Sequence, residues 1–262
     1  MPPEHEVYAV RTGTLDSTRS ATYYRYGIYG EADGPLQMDY FFWVLRSEDQ
    51  TILLDTSFHP DAARRRGREV LVEPLDALHA LGIAPDDVDL VVVSHFHYDH
   101  VGNLAAFPRA RIVAQRKELD FWTGPYARRA QFVPTTEENE LDFIGRAWSS
   151  GRIEAIDGDA ELAPGISARL VGGHCPGQQI LLVSTATGTV VLASDALHLY
   201  EEMERDMPFE IFSDLEDTYR TYDTLRELEA AGMPIVAGHD PRVMRDFAPV
   251  AGPAGEFAVR VG

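Results

Sequence analysis

One stretch limits what this chain can become more than any other: Val88-Asp89-Leu90-Val91-Val92-Val93-Ser94-His95-Phe96-His97-Tyr98-Asp99-His100-Val101-Gly102-Asn103. Its first half is a short apolar run rich in β-branched residues, which is the pattern of a buried strand. The strand delivers His95, His97, Asp99 and His100 into the loop at its carboxyl end. Imidazole nitrogen and carboxylate oxygen are the donors that zinc and similar ions accept. Three histidines at this spacing, out of nine in the whole chain, do not suit an ordinary surface loop. The stretch reads as half of a metal site.

Composition narrows the rest of that site. Cys175 is the only cysteine, so an internal disulfide and any cysteine-rich zinc module are excluded, and the metal must be held by histidine and carboxylate. Cys175 itself is expected to pack beside its neighbours. Asp and Glu total 42 against 23 Lys and Arg, a formal net charge of -19. That field opposes nucleic acid, anionic membrane surfaces and highly phosphorylated substrates, and favours a small neutral or weakly polar one. No window approaches the roughly 18 apolar residues of a membrane span, and Met1-Pro2-Pro3-Glu4-His5-Glu6 lacks the basic and apolar regions of a leader. The chain is therefore expected to be cytoplasmic.

Read in order, Val7–Val10 forms a short strand and residues 12–34 a loop without clear period, in which Tyr23, Tyr24, Tyr26 and Tyr29 either line a pocket or pack the loop. Tyr40–Leu45 and Thr51–Asp55 read as a hairpin. Asp55, at its end, is either a turn former or a carboxylate that orients a ligand histidine from behind. His59 and His79 are expected to be structural or exposed. Leu71, Leu75, Leu78 and Leu81 mark a helix stopped by Gly82. A short helix from Gly102, a strand at Ala110–Ala114 and a helix at Lys117–Trp122 follow. Residues 123–150 break the alternation and are expected to cap the site. Strands return at 152–156, 166–170, 180–183 and 190–192. The eight acidic residues between Glu201 and Asp217 read as a solvated face, before a helix from Asp214 to Ala231 and a last short strand at Pro234–Val236. With no repeat and no linker, residues 1–262 are expected to form one domain. The aromatic stretch before residue 40 and the 123–150 segment are its candidate surfaces for a homodimer.

Three further phrases place a donor directly after an apolar strand: Val171-Gly172-Gly173-His174-Cys175-Pro176-Gly177-Gln178, Val190-Val191-Leu192-Ala193-Ser194-Asp195 and Ile235-Val236-Ala237-Gly238-His239-Asp240. Open sheets collect their chemistry at that end of their strands. Together with the first cluster they supply seven donors, enough for two ions sharing a carboxylate.

The phrase His95-Phe96-His97-Tyr98-Asp99-His100 resembles the His-x-His-x-Asp-His signature of the metallo-β-lactamase superfamily, and the likeness extends over almost the whole chain. The resemblance implies an α/β fold, a four-layer αβ/βα sandwich of two mixed sheets flanked by helices. It also implies a ligand set: His95, His97 and His174 on one metal, Asp99, His100 and His239 on the other, and Asp195 between them. The cofactors would be two divalent ions, zinc foremost, with Fe, Mn or Co also suited to such donors.

Within the superfamily, Gly173–Gln178, Ser194-Asp195-Ala196 and Gly238-His239-Asp240-Pro241 resemble the N-acyl-homoserine lactonases and 4-pyridoxolactonase. Branches with cysteine at the position of Asp195 are disfavoured. The 23 residues after His239 are too few for the glutathione-binding domain of the hydroxyacylglutathione hydrolases. The expected activity is therefore hydrolysis of a lactone, an N-acyl-homoserine lactone first (quorum quenching), with an aromatic lactone or a thioester as the alternatives. Many quorum-signal lactonases carry Tyr three residues after the bridging Asp, where this chain has His198, with Tyr200 two positions on. Asp99, a ligand with a spare oxygen, would pass a proton to the leaving group, and one metal, or a donor such as His198 or Tyr200, would polarise the carbonyl. Ser94 and Ser194 are expected to be structural.

Overall fold

The computed structural model describes residues 4–262, and two β-sheets organise them. The larger sheet takes its strands from both ends of the chain: β1 (Glu6–Thr18), β2 (Pro35–Arg46), β3 (Thr51–Leu54), β4 (Glu69–Val70), β5 (Leu90–Val92), β6 (Arg111–Gln115), β7 (Ile153–Ile156), and, far downstream, Ala248–Pro249 and Ala258–Arg260. Its first strands form antiparallel pairs, whereas β3, β5, β6 and β7 run parallel. The smaller sheet holds β8 (Ala160–Ala163), β9 (Ile166–Leu170), β10 (Gln179–Thr185), β11 (Gly188–Ser194) and β12 (Ile235–Ala237), with β11 and β12 parallel.

Side-chain alternation turns these sheets into four layers. Phe41, Trp43 and Leu45 of β2 point between the sheets, where they meet Leu181, Val183 and Leu192 of the smaller one in a fully buried core. Phe42 and Val44, between them in sequence, face the other way, onto a second core covered by the helices Pro74–Ala80, Arg116–Trp122 and Glu138–Ser149. On the far side, Ile180, Val191 and Ala193 pack against Tyr222, Leu225 and Leu228 of the helix Leu215–Ala230. Helix, sheet, sheet and helix follow one another, as the resemblance implied.

Several boundaries differ from the sequence reading. β1 continues to Thr18 through residues read as loop, because β2, which starts at Pro35 and not at Tyr40, offers it a partner along its length. A register shift between Arg11 and Gly13 interrupts the pairing, and Gly13 lies against Phe58 and the Glu69 carbonyl with no room for a Cβ. The helix read from Leu71 begins at Pro74: the amides of Leu71 and Val72 both donate to the Thr12 carbonyl, and Leu71 is exposed. Pro234–Val236 is not the last strand, and Ala160–Ala163 was not anticipated. The acidic stretch after Tyr200 is no simple solvated face: Glu202 is buried, accepting from the Leu199 amide and the Tyr222 hydroxyl. Residues 123–150 form the crossover between β6 and β7; Ile144 and Ala147 enter the core. Among the described residues no helix is long and apolar enough to cross a membrane.

Candidate metal centre

Every donor of interest stands just past the carboxyl end of a strand. β5 leads through Val93-Ser94 to His95 and His97, and His97 caps the short helix Tyr98–Val101 that carries Asp99 and His100. After β9, Gly172 and Gly173 turn the chain at φ +72° and +82° to present His174; a side chain at Gly173 would also meet the Thr218 backbone. β11 ends in Ser194-Asp195, and β12 is followed by Gly238-His239.

These turns bring the donors into two adjoining groups. Donor atoms of His95, His97, His174 and Cys175 lie within 4.8 Å of one another, as do those of Asp99, His100 and His239. Asp195 spans both. Its Oδ2 is 3.4 Å from His174 Nε2 and 3.7 Å from His95 Nε2, and its Oδ1 is 3.2 Å from His100 Nε2 and 3.0 Å from His239 Nε2. Two ligands each about 2.0 Å from a tetrahedral ion are about 3.3 Å apart, so this is ligand spacing.

The hydrogen bonds behind the ring confirm which nitrogen each histidine offers. His100 Nδ1 donates to Asp55 Oδ2 at 2.8 Å, His239 Nδ1 to the Asp39 carbonyl at 2.7 Å, and His174 Nδ1 to the Ile211 carbonyl at 2.9 Å. Carboxylate and carbonyl oxygens only accept, so Nδ1 carries a proton and Nε2 is the nitrogen that faces inward. His97 is reversed. Its Nε2 faces Cys175 Sγ at 3.3 Å, leaving Nδ1 only 2.9 Å from His174 Nε2. With the His97 proton on Nε2, toward Cys175, two lone pairs meet at that distance, an arrangement that a cation between them relieves. His95 Nε2, His100 Nε2 and Asp195 Oδ1 are buried without a hydrogen-bond partner, which native folds rarely allow unless something further binds. The residues fit a two-metal site.

Electrostatics divide the histidines differently. Burial, reinforced by neighbouring imidazoles, holds His95 and His174 well below the ordinary range, and burial takes His97 to about 3; all three are neutral, the form that can ligate a metal. Burial also acts on His100 and His198, but Asp195 and other carboxylates outweigh it, raising His100 well above its usual value and His198 to about 9. His198 Nε2 lies 3.1 Å from Asp195 Oδ2 and its Nδ1 3.3 Å from Glu202 Oε1, although neither contact has the direction of a hydrogen bond. Its ring stacks on Phe209 at 3.8 Å between centroids.

The remaining expectations divide. Asp55 is the orienting carboxylate: besides His100 it accepts the Ser94 amide and the hydroxyls of Ser94 and Ser194. Those serines are thereby occupied. Tyr200 is a correction. Its hydroxyl donates to the Ile235 carbonyl at 3.0 Å and its ring lies beneath Arg242, so it is not available to polarise a substrate carbonyl. His59 caps a helix from an exposed position. Sequence reasoning missed Glu118, a buried carboxylate that accepts from the Phe96 and Gly177 amides and from Trp122 Nε1, tying both ligand loops to one helix. Burial pushes it up to about 7. Nothing in its helical spacing marks it.

The donors floor a cavity of about 290 Å³ walled by Leu15, Met38, Tyr40, Tyr98, Phe209 and Ile211, with Pro134 and Thr135 from the 123–150 segment. A second cavity of about 660 Å³ shares His97, His174 and Ile211 with it and adds Tyr24, Phe121, Trp122, Phe132 and Phe212. Of the four tyrosines singled out, Tyr24 lines this cavity, whereas Tyr23 and Tyr26 pack against Met38, Leu199 and Met207, with Tyr29 at their edge. A cavity of about 930 Å³ lies between Trp122 and the 123–150 segment, and none of the donors lines it.

With this geometry in hand, the relatives are informative. The profile of the metallo-beta-lactamase superfamily matches residues 39–239. The N-acyl homoserine lactonase AiiA of Bacillus thuringiensis subsp. kurstaki is 28% identical over 221 residues, 78% of this chain and 82% of its own. An N-acyl homoserine lactone hydrolase, solved with its product N-hexanoyl-L-homoserine at the catalytic metal center, is similar at a TM-score of 0.73 and 23% identity, over 94% of this chain and 97% of that one. AidC, a dizinc quorum-quenching lactonase, also reaches 0.73, at 18% identity over 92% of this chain and 89% of its own. The chain belongs to the metallo-β-lactamase superfamily, on the branch that resembles the N-acyl homoserine lactonases.

Proposed function

We propose that the chain is a two-metal hydrolase that opens lactone rings. The observation that carries this reading is the Asp195 carboxylate, with one oxygen at each of two histidine groups, at the floor of a cavity large enough for a small ring. His95, His97 and His174 would hold one ion, Asp99, His100 and His239 the other, with Asp195 common to both. Zinc suits these donors first, and Fe, Mn and Co suit them too. Such ions, when bound, supply a Lewis acid and a water acidic enough to be deprotonated near neutral pH.

The protein's own residues supply the rest. Asp99, at the cavity wall, takes up a proton and returns it to the departing alkoxide. His198, next to Asp195 and stacked on Phe209, donates toward the oxygen on which charge develops. Leu15, Met38, Phe209 and Ile211 exclude bulk water around that oxygen. No side chain needs to form a covalent intermediate.

N-acyl-homoserine lactones are the first class to assay because the relatives above act on them, with aromatic lactones and thioesters beside them. The test is acid release from a panel of N-acyl-homoserine lactones, simple γ- and δ-lactones, aromatic lactones and acyl thioesters, using metal-loaded protein. Turnover of at least one lactone class above the thioesters is expected. Hydrolysis of thioesters alone would overturn the reading.

A further inference from the structure

Arg68 is a cation in the wall of the metal cavity, and most of its neighbours explain only part of it. Its Nε donates to the Tyr98 hydroxyl at 2.9 Å and its Nη1 to the Arg66 carbonyl at 2.5 Å. Nη2 takes no part in either bond; the Tyr40 hydroxyl also lies beside the guanidinium, and no carboxylate among the described residues lies within 4.0 Å of it. Arg66, two residues earlier, makes the contrast: its Nε pairs with Glu137 and its two Nη atoms are spent on the carbonyls of Pro134 and Thr136.

Arg68 is also held in register with the metal donors. Tyr98 lies between His97 and Asp99 in the chain, and the Tyr40 ring stands edge-on to His239 at 5.1 Å between centroids. The guanidinium is 5.9 Å from the centroid of each of these tyrosines. A residue that only buttressed Tyr98 would need one N–H. Here Nη2 is left over beside a cavity, on a half-buried charge whose facing carboxylate is Asp99. Asp99 faces the same cavity but belongs to the donor set. A guanidinium fork of this kind matches a carboxylate better than any neutral acceptor. The overall charge of -19 does not oppose this, since at physiological ionic strength exposed charges are screened beyond roughly 8 Å.

We infer that Arg68 is a specificity-determining residue that selects lactones carrying a carboxylate outside the scissile ester. The inference rests on the lactonase reading for the reaction, though not for the binding. The experiment compares γ-butyrolactone bearing a carboxylate at its γ-carbon with the methyl ester of the same compound, on metal-loaded wild type, Arg68→Gln and Arg68→Lys. The readout is the ratio of kcat/KM for acid over ester, with metal content and Tm measured alongside. The wild-type ratio is expected to exceed one, and Arg68→Gln to lower it about tenfold to a hundredfold, the range of a charge-assisted hydrogen bond; Arg68→Lys, which keeps the charge, recovers part of it. A loss of packing would lower both rates and leave the ratio in place. An unchanged ratio in Arg68→Gln, or a wild type that prefers the ester, overturns the proposal. If neither compound is hydrolysed, the lactonase reading suffers, and calorimetric binding of the same two compounds still decides on Arg68: tighter binding of the acid to wild type than to the glutamine variant supports it, and equal affinities overturn it.

Discussion

Asp55→Asn isolates the part of the site that a list of ligands leaves out. Asp55 is fully buried and receives four hydrogen bonds: the Ser94 amide on Oδ1 at 2.7 Å, and on Oδ2 the Ser94 hydroxyl at 2.7 Å, the Ser194 hydroxyl at 3.0 Å and His100 Nδ1 at 2.8 Å. Asparagine has nearly the same shape and tolerates the φ of +64° that this residue adopts, so the backbone is not taxed. Its amide has one accepting atom. That atom must stay on the Ser94 N–H, because the flipped amide would set donor against donor there. The NH2 group then faces His100 Nδ1. Serine hydroxyls rotate and accept, but imidazole adjusts only by moving its proton to Nε2, the nitrogen 3.2 Å from Asp195 Oδ1 that a metal needs. Loss of such an orienting partner lowers metal affinity by about 10- to 100-fold, or roughly 1.4–2.7 kcal/mol. Equilibration of both proteins against graded free-zinc buffers, followed by elemental analysis, is expected to show the Asp99–His100–His239 ion weakened by that factor and the other ion largely retained. Two ions bound with wild-type affinity in Asp55→Asn would refute the tautomer argument.

Two predictions concern the scaffold. A Cβ added at Gly102 would run into the backbone of Phe58 and His59, which cannot give way as a side chain would, so Gly102→Ala is expected to cost about 3 kcal/mol or more and to lower Tm by many degrees in a thermal melt. Glu140 is buried with neither carboxylate oxygen hydrogen-bonded, and burial, then Glu137 and Asp99, push it up to about 8 from an ordinary 4.5. Because the folded value lies above the unfolded one, the native state holds the extra proton between these pH values, and stability falls as pH rises from about 4.5 to about 8. Glu140→Gln removes that slope. Its stability relative to wild type is expected to improve by on the order of 3 kcal/mol between pH 5 and pH 8 in denaturant titrations, and a difference that does not vary with pH would contradict the assignment.

The chain's own order of residues determined the candidate metal donors. His95, His97, Asp99 and His100 follow an apolar β-branched run, and His174, Asp195 and His239 each follow another; strand periodicity and donor chemistry are both local properties, and strand ends are where an α/β sheet exposes what it carries. The same locality explains the misreadings. Residues 12–18 look like loop because they show no clear period and Gly13 and Asp16 are weakly β-forming, yet β2 supplies a partner for the whole length, and pairing outweighs propensity. Tyr200 looked available because it follows a ligand strand, and only the approach of Ile235 turns its hydroxyl away.

What the tertiary structure alone decided is the wiring behind and above the donors. Asp55 and His100 are 45 residues apart, Glu118 reaches Phe96 across 22 and Gly177 across 59, and Arg68 borders the cavity from a turn whose sequence carries no sign of it. A hydrogen bond between distant residues exists only once the chain has closed on itself, so which acid orients, which acid ties loops together and which cation borders the cavity are properties of the packed molecule. The ligands belong to the strands; their protonation and the cavity's selectivity belong to the fold.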